Sequence, residues 1–193
     1  PNYLFVWGSE VLIHPRRWYF RLLVRSAIRN ADRILVDSDV QKEAVVRLGG
    51  DSESLIQFPW VDLEPFFDES GESDVRKRLG WEDNLIVLSI RNLEPKYDIE
   101  CLIRSIPETL NKASSVRYLI GGEGRLESRL RAMAKNLGVG DYVHFLGSVE
   151  HENVPKLMRS VDVYASTSLS DGTSASLLEA MACKLPAVVS DNE

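Results

Sequence analysis

Short apolar runs alternate along the chain with longer stretches in which apolar positions return every three or four residues. Near the start, "NYLFVW" (Asn2 to Trp7), "DRILVDS" and "SLIQFPW" predict strands. Between them, "PRRWYFRLLVRSAIRN" predicts a helix starting at Pro15, a favoured first-turn residue. "SDVQKEAVVRLGG" predicts a second helix, capped by Ser38 with Gln41 three residues on, and stopped by Gly49-Gly50. "VDLEPFFDESGESD" breaks the rhythm. It is acidic, holds Pro65 and Gly71, and reads as a linker. A second alternation follows, with strands "LIVLSI", "VRYLIGG", "YVHFLGSV", "VDVYASTS" and "PAVVSD". Helices are expected between them over 98–110, 125–137, 153–160 and 174–183. Strand–helix alternation predicts parallel sheets with crossover helices, so the fold class is α/β. Two units are expected, the first cut at its N-terminal side and the second at its C-terminal side. Their bounds are 1–66 for the first, 67–83 for the linker and domain entry, and 84–193 for the second.

Composition narrows the classes. The 193 residues are 44% hydrophobic, enough for a real core, and no apolar run reaches the ~18 residues of a membrane-spanning helix. A net charge of -6 argues against a nucleic-acid partner. Cys101 and Cys183 show no metal or redox spacing and read as small buried hydrophobes of a reducing, cytoplasmic compartment. No signal peptide opens the chain, and the chain reads as an internal fragment of a longer protein.

Arg17, Arg21, Arg25, Arg29 and Arg33 recur at spacing four, beside Trp18, Phe20 and Leu22. Two readings stay open for this basic stripe. It is the wet face of a sheet-covering helix, or it rests weakly on an anionic membrane face as a peripheral contact.

In open parallel sheets, ligands bind beyond the carboxyl ends of the strands, so the strand-to-helix loops carry the chemistry. Three of these loops stand out. In "LSDGTSASLLEAMAC", a helix start with unpartnered N–H groups could take a phosphate, with the hydroxyls of Thr173, Ser174 and Ser176 close by. Ser176-Leu-Leu-Glu179 also matches a capping box, in which Glu179 only closes the helix start. A helix that starts near Ser174 instead puts Leu177, Leu178 and Met181 on the sheet side and leaves Glu179 to the cleft. In "SIRNLEPKYD", Arg91 and Lys96 follow a buried strand and suit a diphosphate, or are solvated surface cations. In "LIGGEGRLE", Gly121, Gly122 and Gly124 allow close approach to the backbone, by a ligand or simply within a tight turn. A dinucleotide fingerprint fails there, because Glu127 stands at the third glycine position.

Together these motifs resemble the retaining nucleotide-sugar glycosyltransferases of glycosyltransferase family four, which have two facing Rossmann-like domains (the GT-B fold). Arg91 and Lys96 match the family's Arg and Lys five apart. "VHFLGSV" (Val143 to Val149) matches its "V-x-F-L-G-x-V" strand. Asp171, Glu179 and "LLEAMACKLPAVVSD" match its acidic residue, seven others, then Glu. "WGSEV", "ADRILVDS" and "VDLEPF" resemble the close of the family's N-terminal domain. The resemblance implies an acceptor-side domain followed by a donor-nucleotide domain, and sugar transfer with retained configuration. Arg91 and Lys96 would hold the donor diphosphate, and the helix start from Thr173 to Ser176 its distal phosphate. Glu179 would accept from the ribose hydroxyls and Asp171 would face the donor sugar as the catalytic carboxylate. Gly122 would border the donor, and the strand end from Leu146 to Val149 would border the base. The donor would be a nucleotide-diphosphate sugar and the acceptor a sugar or lipid-linked molecule of polysaccharide, glycolipid or cell-envelope synthesis. No metal or other cofactor is implied.

Several positions depart from the pattern. Asp171 stands where Glu is usual, Tyr97 and Lys184 where Gly is usual, and Trp60 where a Gly precedes "VD". Lys184 should lose a favourable left-handed cap. Trp7 stands where many relatives have His, so no catalytic His is assigned. The rival reading is a non-catalytic α/β nucleotide-binding module.

Overall fold

A computed structural model describes residues 1–7, 9–12, 17–58, 61–68, 70–71, 73–171 and 173–191. The chain forms two compact units. One comprises Pro1–Trp60 with Ser170–Ser174, the other Val61–Leu169 with Ala175–Glu193.

The first unit is a three-stranded parallel sheet, β1 (Tyr3–Phe5), β2 (Arg33–Val36) and β3 (Leu55–Gln57), in that order. Its helices are α1 (Ser9–Leu12), α2 (Trp18–Arg29) and α3 (Asp39–Arg47). Val6, Val11, Ile28, Ile34, Val36, Val45 and Leu48 form its core. The expected cap of α3 is present: Ser38 Oγ accepts from the Gln41 N–H at 3.4 Å. The Gln41 amide oxygen accepts from the Asp37 N–H at 3.1 Å, one residue earlier than a capping box requires. Gly49, at φ +99°, takes the turn after the helix that only glycine adopts easily. Pro15, expected to open α2, and Trp60 lie outside the described residues.

In the second unit, α4 (Glu64–Phe67) lies within the acidic stretch and α5 (Val75–Leu79) follows it, and Phe66 and Val75 are buried in the core of this unit. Arg76 fixes α5 by donating to the Ser160 carbonyl at 2.6 Å, the Asn84 carbonyl at 2.8 Å and the Asp162 carboxylate at 2.6 Å. The acidic composition of the stretch gave no sign of the apolar side chains that packing would claim.

The sheet of this unit is wholly parallel. Its strands are β4 (Leu85–Ile90), β5 (Val116–Gly121), β6 (Val143–Gly147), β7 (Val163–Ser166) and β8 (Ala187–Val189), in the order β6-β5-β4-β7-β8. The crossovers are α6 (Ile99–Lys112), α7 (Glu127–Asn136), α8 (Val154–Arg159) and α9 (Ala175–Ala182). Both faces are covered. Ile86, Leu88 and Leu119 point into one apolar cluster, and Val116, Tyr118 and Ile120 into the other. The strand order reverses direction between β4 and β7, which is where a Rossmann-like sheet opens a crevice at its carboxyl edge.

Both cysteines differ from expectation. Cys101 is exposed and Cys183 half-buried. Helix α6 buries Ile99, Leu102, Ile103 and Ile106, a stripe that turns Cys101 to solvent. Among the described residues, no helix is long and apolar enough to cross a membrane.

Candidate functional site

At the switch point, Arg91 follows β4 directly and Ser166 ends β7, and one Arg91 Nη lies 3.5 Å from the Ser166 hydroxyl. Behind this contact lies a pocket of about 360 Å³ in the second unit, whose walls include Arg91, Tyr97, Gly122, Val149, Ser176 and Glu179. Five of the residues expected at the donor (Arg91, Gly122, Val149, Ser176 and Glu179) therefore meet around one cavity. A second cavity, of about 560 Å³, shares Ser148 and Val149 with the first and contains Leu146.

Lys96, also expected at the donor, is not among the residues that line the first pocket, but it is anchored beside Tyr97, which does line it. The Lys96 carbonyl accepts from the Leu169 N–H at 2.8 Å, and its Nζ lies 5.2 Å from the Tyr97 ring centre. Asp171, Thr173 and Ser174 lie in the segment that joins β7 to α9, which groups with the first unit. There the Thr173 N–H donates to the Asp37 carboxylate at 3.2 Å, and its hydroxyl to the Asp37 carbonyl at 2.6 Å.

Helix α9 spans Ala175–Ala182, the earlier of the two expected starts, so Glu179 lies inside the helix rather than at its cap. The face it buries differs from expectation. Ser176, Glu179 and Ala180 are buried, whereas Met181 is 61% exposed. The Ser176 hydroxyl lies 2.7 Å from that of Tyr164, so a hydrogen bond to β7 selects which side of α9 faces inward. Glu179 is only 8% exposed, and no hydrogen bond from a described residue reaches its carboxylate. Burial pushes its carboxyl above the usual range, with the nearby charges of His151 and then Arg91 opposing that shift. A buried carboxylate beside a guanidinium, at the edge of a cavity, is poised to accept from hydroxyl donors.

The glycine loop serves packing. A Cβ on Gly122, at φ +120°, would collide with the Arg91 carbonyl, and one on Gly124 would come within 2.5 Å of the Leu93 carbonyl. The nearest neighbours of these glycines are backbone atoms of the β4 exit loop, so they let two loops close on each other beside the pocket. Lys184 takes the left-handed conformation itself, at φ +58°, so the turn after α9 survives without glycine at a steric cost.

Ser148 and Ala175, within the two expected segments, also line the pocket; sequence reading overlooked Ile90, Asn92 and Glu123, which line it too. Each is next to a residue already singled out, and the rule that ligands sit beyond strand ends applies to all of these loops. Ser166 was missed because its role depends on β7 lying beside β4.

The likenesses to known proteins agree with this architecture. Anabaena HepE, solved with UDP and glucose, superposes with a TM-score of 0.86 at 21% identity, over 100% of this chain and 53% of that one. This likeness shows the fold, the GT-B type of two Rossmann-like parallel-sheet domains. The phosphatidylinositol N-acetylglucosaminyltransferase GPI3 subunit of Saccharomyces cerevisiae is 27% identical over 169 residues, 87% of this chain and 37% of that protein. The GDP-mannose-dependent alpha-(1-6)-phosphatidylinositol monomannoside mannosyltransferase of Mycolicibacterium smegmatis is 28% identical over 188 residues, 91% of this chain and 49% of that protein. The chain thus spans half or less of the length of these curated relatives. The family model for glycosyl transferases group 1 matches residues 72–193. That match takes in every residue that lines the pocket, and the chain belongs to the glycosyl transferases group 1 family.

Proposed function

We propose that this chain is the donor-binding part, with the close of the acceptor-side part, of a glycosyltransferase that moves a sugar from a nucleotide-diphosphate sugar to an acceptor with retained configuration. The observation that carries the reading is the meeting of the Arg91 cation and the buried Glu179 carboxylate in one pocket at the sheet's switch point. Arg91 and Lys96 bind the diphosphate, and the first turn of α9 takes its distal phosphate through backbone N–H groups. Glu179 accepts from the ribose hydroxyls. The cavity shared by Leu146, Ser148 and Val149 takes the base.

In the transfer, the bond from the anomeric carbon to the phosphate oxygen breaks. The acceptor oxygen bonds to the same face, and its proton passes to the leaving phosphate. Asp171 faces the donor sugar and acts as the catalytic carboxylate. The two cations and the helix N-terminus stabilise the charge that develops on the diphosphate, a role that asks for no metal. Two relatives are named for phosphatidylinositol substrates, which supports a lipid-linked acceptor in glycolipid or cell-envelope synthesis. Helix α2 exposes Trp18, Leu22 and Leu23 beside Arg17, Arg21 and Arg29, a surface suited to weak contact with the cytoplasmic face of a membrane.

Calorimetric titration of UDP and GDP tests the donor reading. Arg91→Ala and Lys96→Ala should each weaken diphosphate binding by about 1.5–3 kcal/mol, the worth of a hydrogen bond to a charged group, and leave uridine and guanosine binding unchanged. Binding of neither diphosphate by the wild type would overturn it. Turnover in the presence of a chelator, with the product anomer read by NMR, checks the metal-free and retaining parts.

A further inference from the structure

Both donor-site cations approach the ring of Tyr97. The Arg91 guanidinium carbon lies 5.3 Å from the ring centre and Lys96 Nζ 5.2 Å. Both distances are within the ~6 Å over which a ring's quadrupole attracts a cation. Two like charges brought near each other repel, and a ring shared between them offsets part of that cost.

The ring is itself held. Tyr97 is half-buried and packs against the apolar cluster that contains Leu93 and Ile99. Its backbone is tied to the exit of β7, where the Thr167 hydroxyl donates to the carbonyls of Tyr97 at 3.1 Å and Asp98 at 2.9 Å. Asp98 sits at φ +41°, a left-handed conformation that a non-glycine residue keeps only where its surroundings impose it. The turn therefore presents the Tyr97 side chain to the pocket wall in a fixed place. A glycine here, as the family pattern has it, would leave Arg91 and Lys96 without that common support.

We infer that Tyr97 is a positioning residue of the diphosphate site: its ring holds Arg91 and Lys96 together before the donor arrives. The inference rests on the donor reading above. Pre-placing two flexible cations spares the ordering cost that binding otherwise carries, so the gain falls on the diphosphate and not on the nucleoside.

The test is calorimetric titration of UDP, GDP, uridine and guanosine into the wild type, Tyr97→Phe, Tyr97→Leu and Arg91→Ala. Leucine keeps apolar bulk and loses the quadrupole, so Tyr97→Leu should weaken diphosphate binding about 5- to 30-fold, with nucleoside binding within about twofold of wild type. Tyr97→Phe should recover most of that loss. Fluorinated phenylalanines at position 97 keep the ring's size while draining its negative face. They should weaken diphosphate binding stepwise, and they serve in place of leucine if that variant melts early. Wild-type diphosphate affinity in both Tyr97→Leu and the fluorinated series overturns the inference. So does an equal loss in Tyr97→Phe, which assigns the effect to the hydroxyl, or a parallel loss of nucleoside affinity, which assigns it to packing. A wild type that binds neither diphosphate, or an Arg91→Ala variant that binds them normally, removes the donor reading and this inference with it. A silent Tyr97→Leu beside a weakened Arg91→Ala removes this inference alone.

Discussion

The hydroxyls of Tyr164 and Ser176 lie 2.7 Å apart in the interior of the second unit, so a side chain of β7 pins the first turn of α9. Tyr164→Phe leaves the Ser176 hydroxyl buried without this partner, which should cost about 1–3 kcal/mol of stability. Ser176→Ala removes this contact from the Tyr164 side and should cost no more than Tyr164→Phe. The double variant should be closer to wild type than the sum of the two, because the two single variants each lose the same contact. Urea denaturation of the four proteins measures this. Additive losses would show that the contact contributes little.

Glu179 should give the site a pH dependence with a definite sign. Burial raises its carboxyl above the unfolded value, so the native chain holds more protons than the unfolded chain in the window above the usual carboxylate range. Stability should therefore fall as pH rises through that window, and Glu179→Gln should remove the fall. Below the window the two proteins should match in pH response. Donor binding should run the other way. In the proposed donor site, ribose hydroxyls donate to the charged form, so affinity for UDP or GDP should rise with pH through the same window and flatten in Glu179→Gln. Thermal melts and titrations at a series of pH values read both slopes.

Gly122 and Gly80 separate crowding from backbone strain. Both have positive φ, but a Cβ on Gly122 would collide with the Arg91 carbonyl, whereas nothing lies within 4 Å of one on Gly80. Gly80→Ala should cost about 1–2 kcal/mol, the left-handed penalty alone. Gly122→Ala should cost about 3 kcal/mol or more, adding overpacking to strain, and should also shift the Arg91 loop and weaken diphosphate binding. Chemical denaturation of the two variants side by side checks the ordering.

Local pattern carried most of the element reading. "LIVLSI" coincides with β4 because a continuous apolar run, buried on both faces of a parallel sheet, needs no partner to be recognised. Helix α9 was harder. Its early start was one of two readings the sequence left open, and the exposure of Met181 was not legible, because a hydrogen bond between Tyr164 and Ser176 ties one side of the helix to β7. Cys101 fails for a related reason. A small apolar residue on a helix is buried only if its face is covered, and α6 turns another stripe to the sheet.

By itself, then, the sequence determined the α/β class, the alternation of strands and helices, and which strand-to-helix loops carry the residues that meet in the pocket. These rest on periodicity, caps and short motifs, which operate within a few residues. Tertiary structure alone decided the order β6-β5-β4-β7-β8, which brings Arg91 beside Ser166 across a separation of 75 residues. It also decided that Phe66, within an acidic stretch, belongs to the core of the second unit, and that the ring of Tyr97 lies near both Arg91 and Lys96. Each of these depends on which distant surface covers a side chain, and burial against a distant partner leaves no mark in the local pattern of the chain.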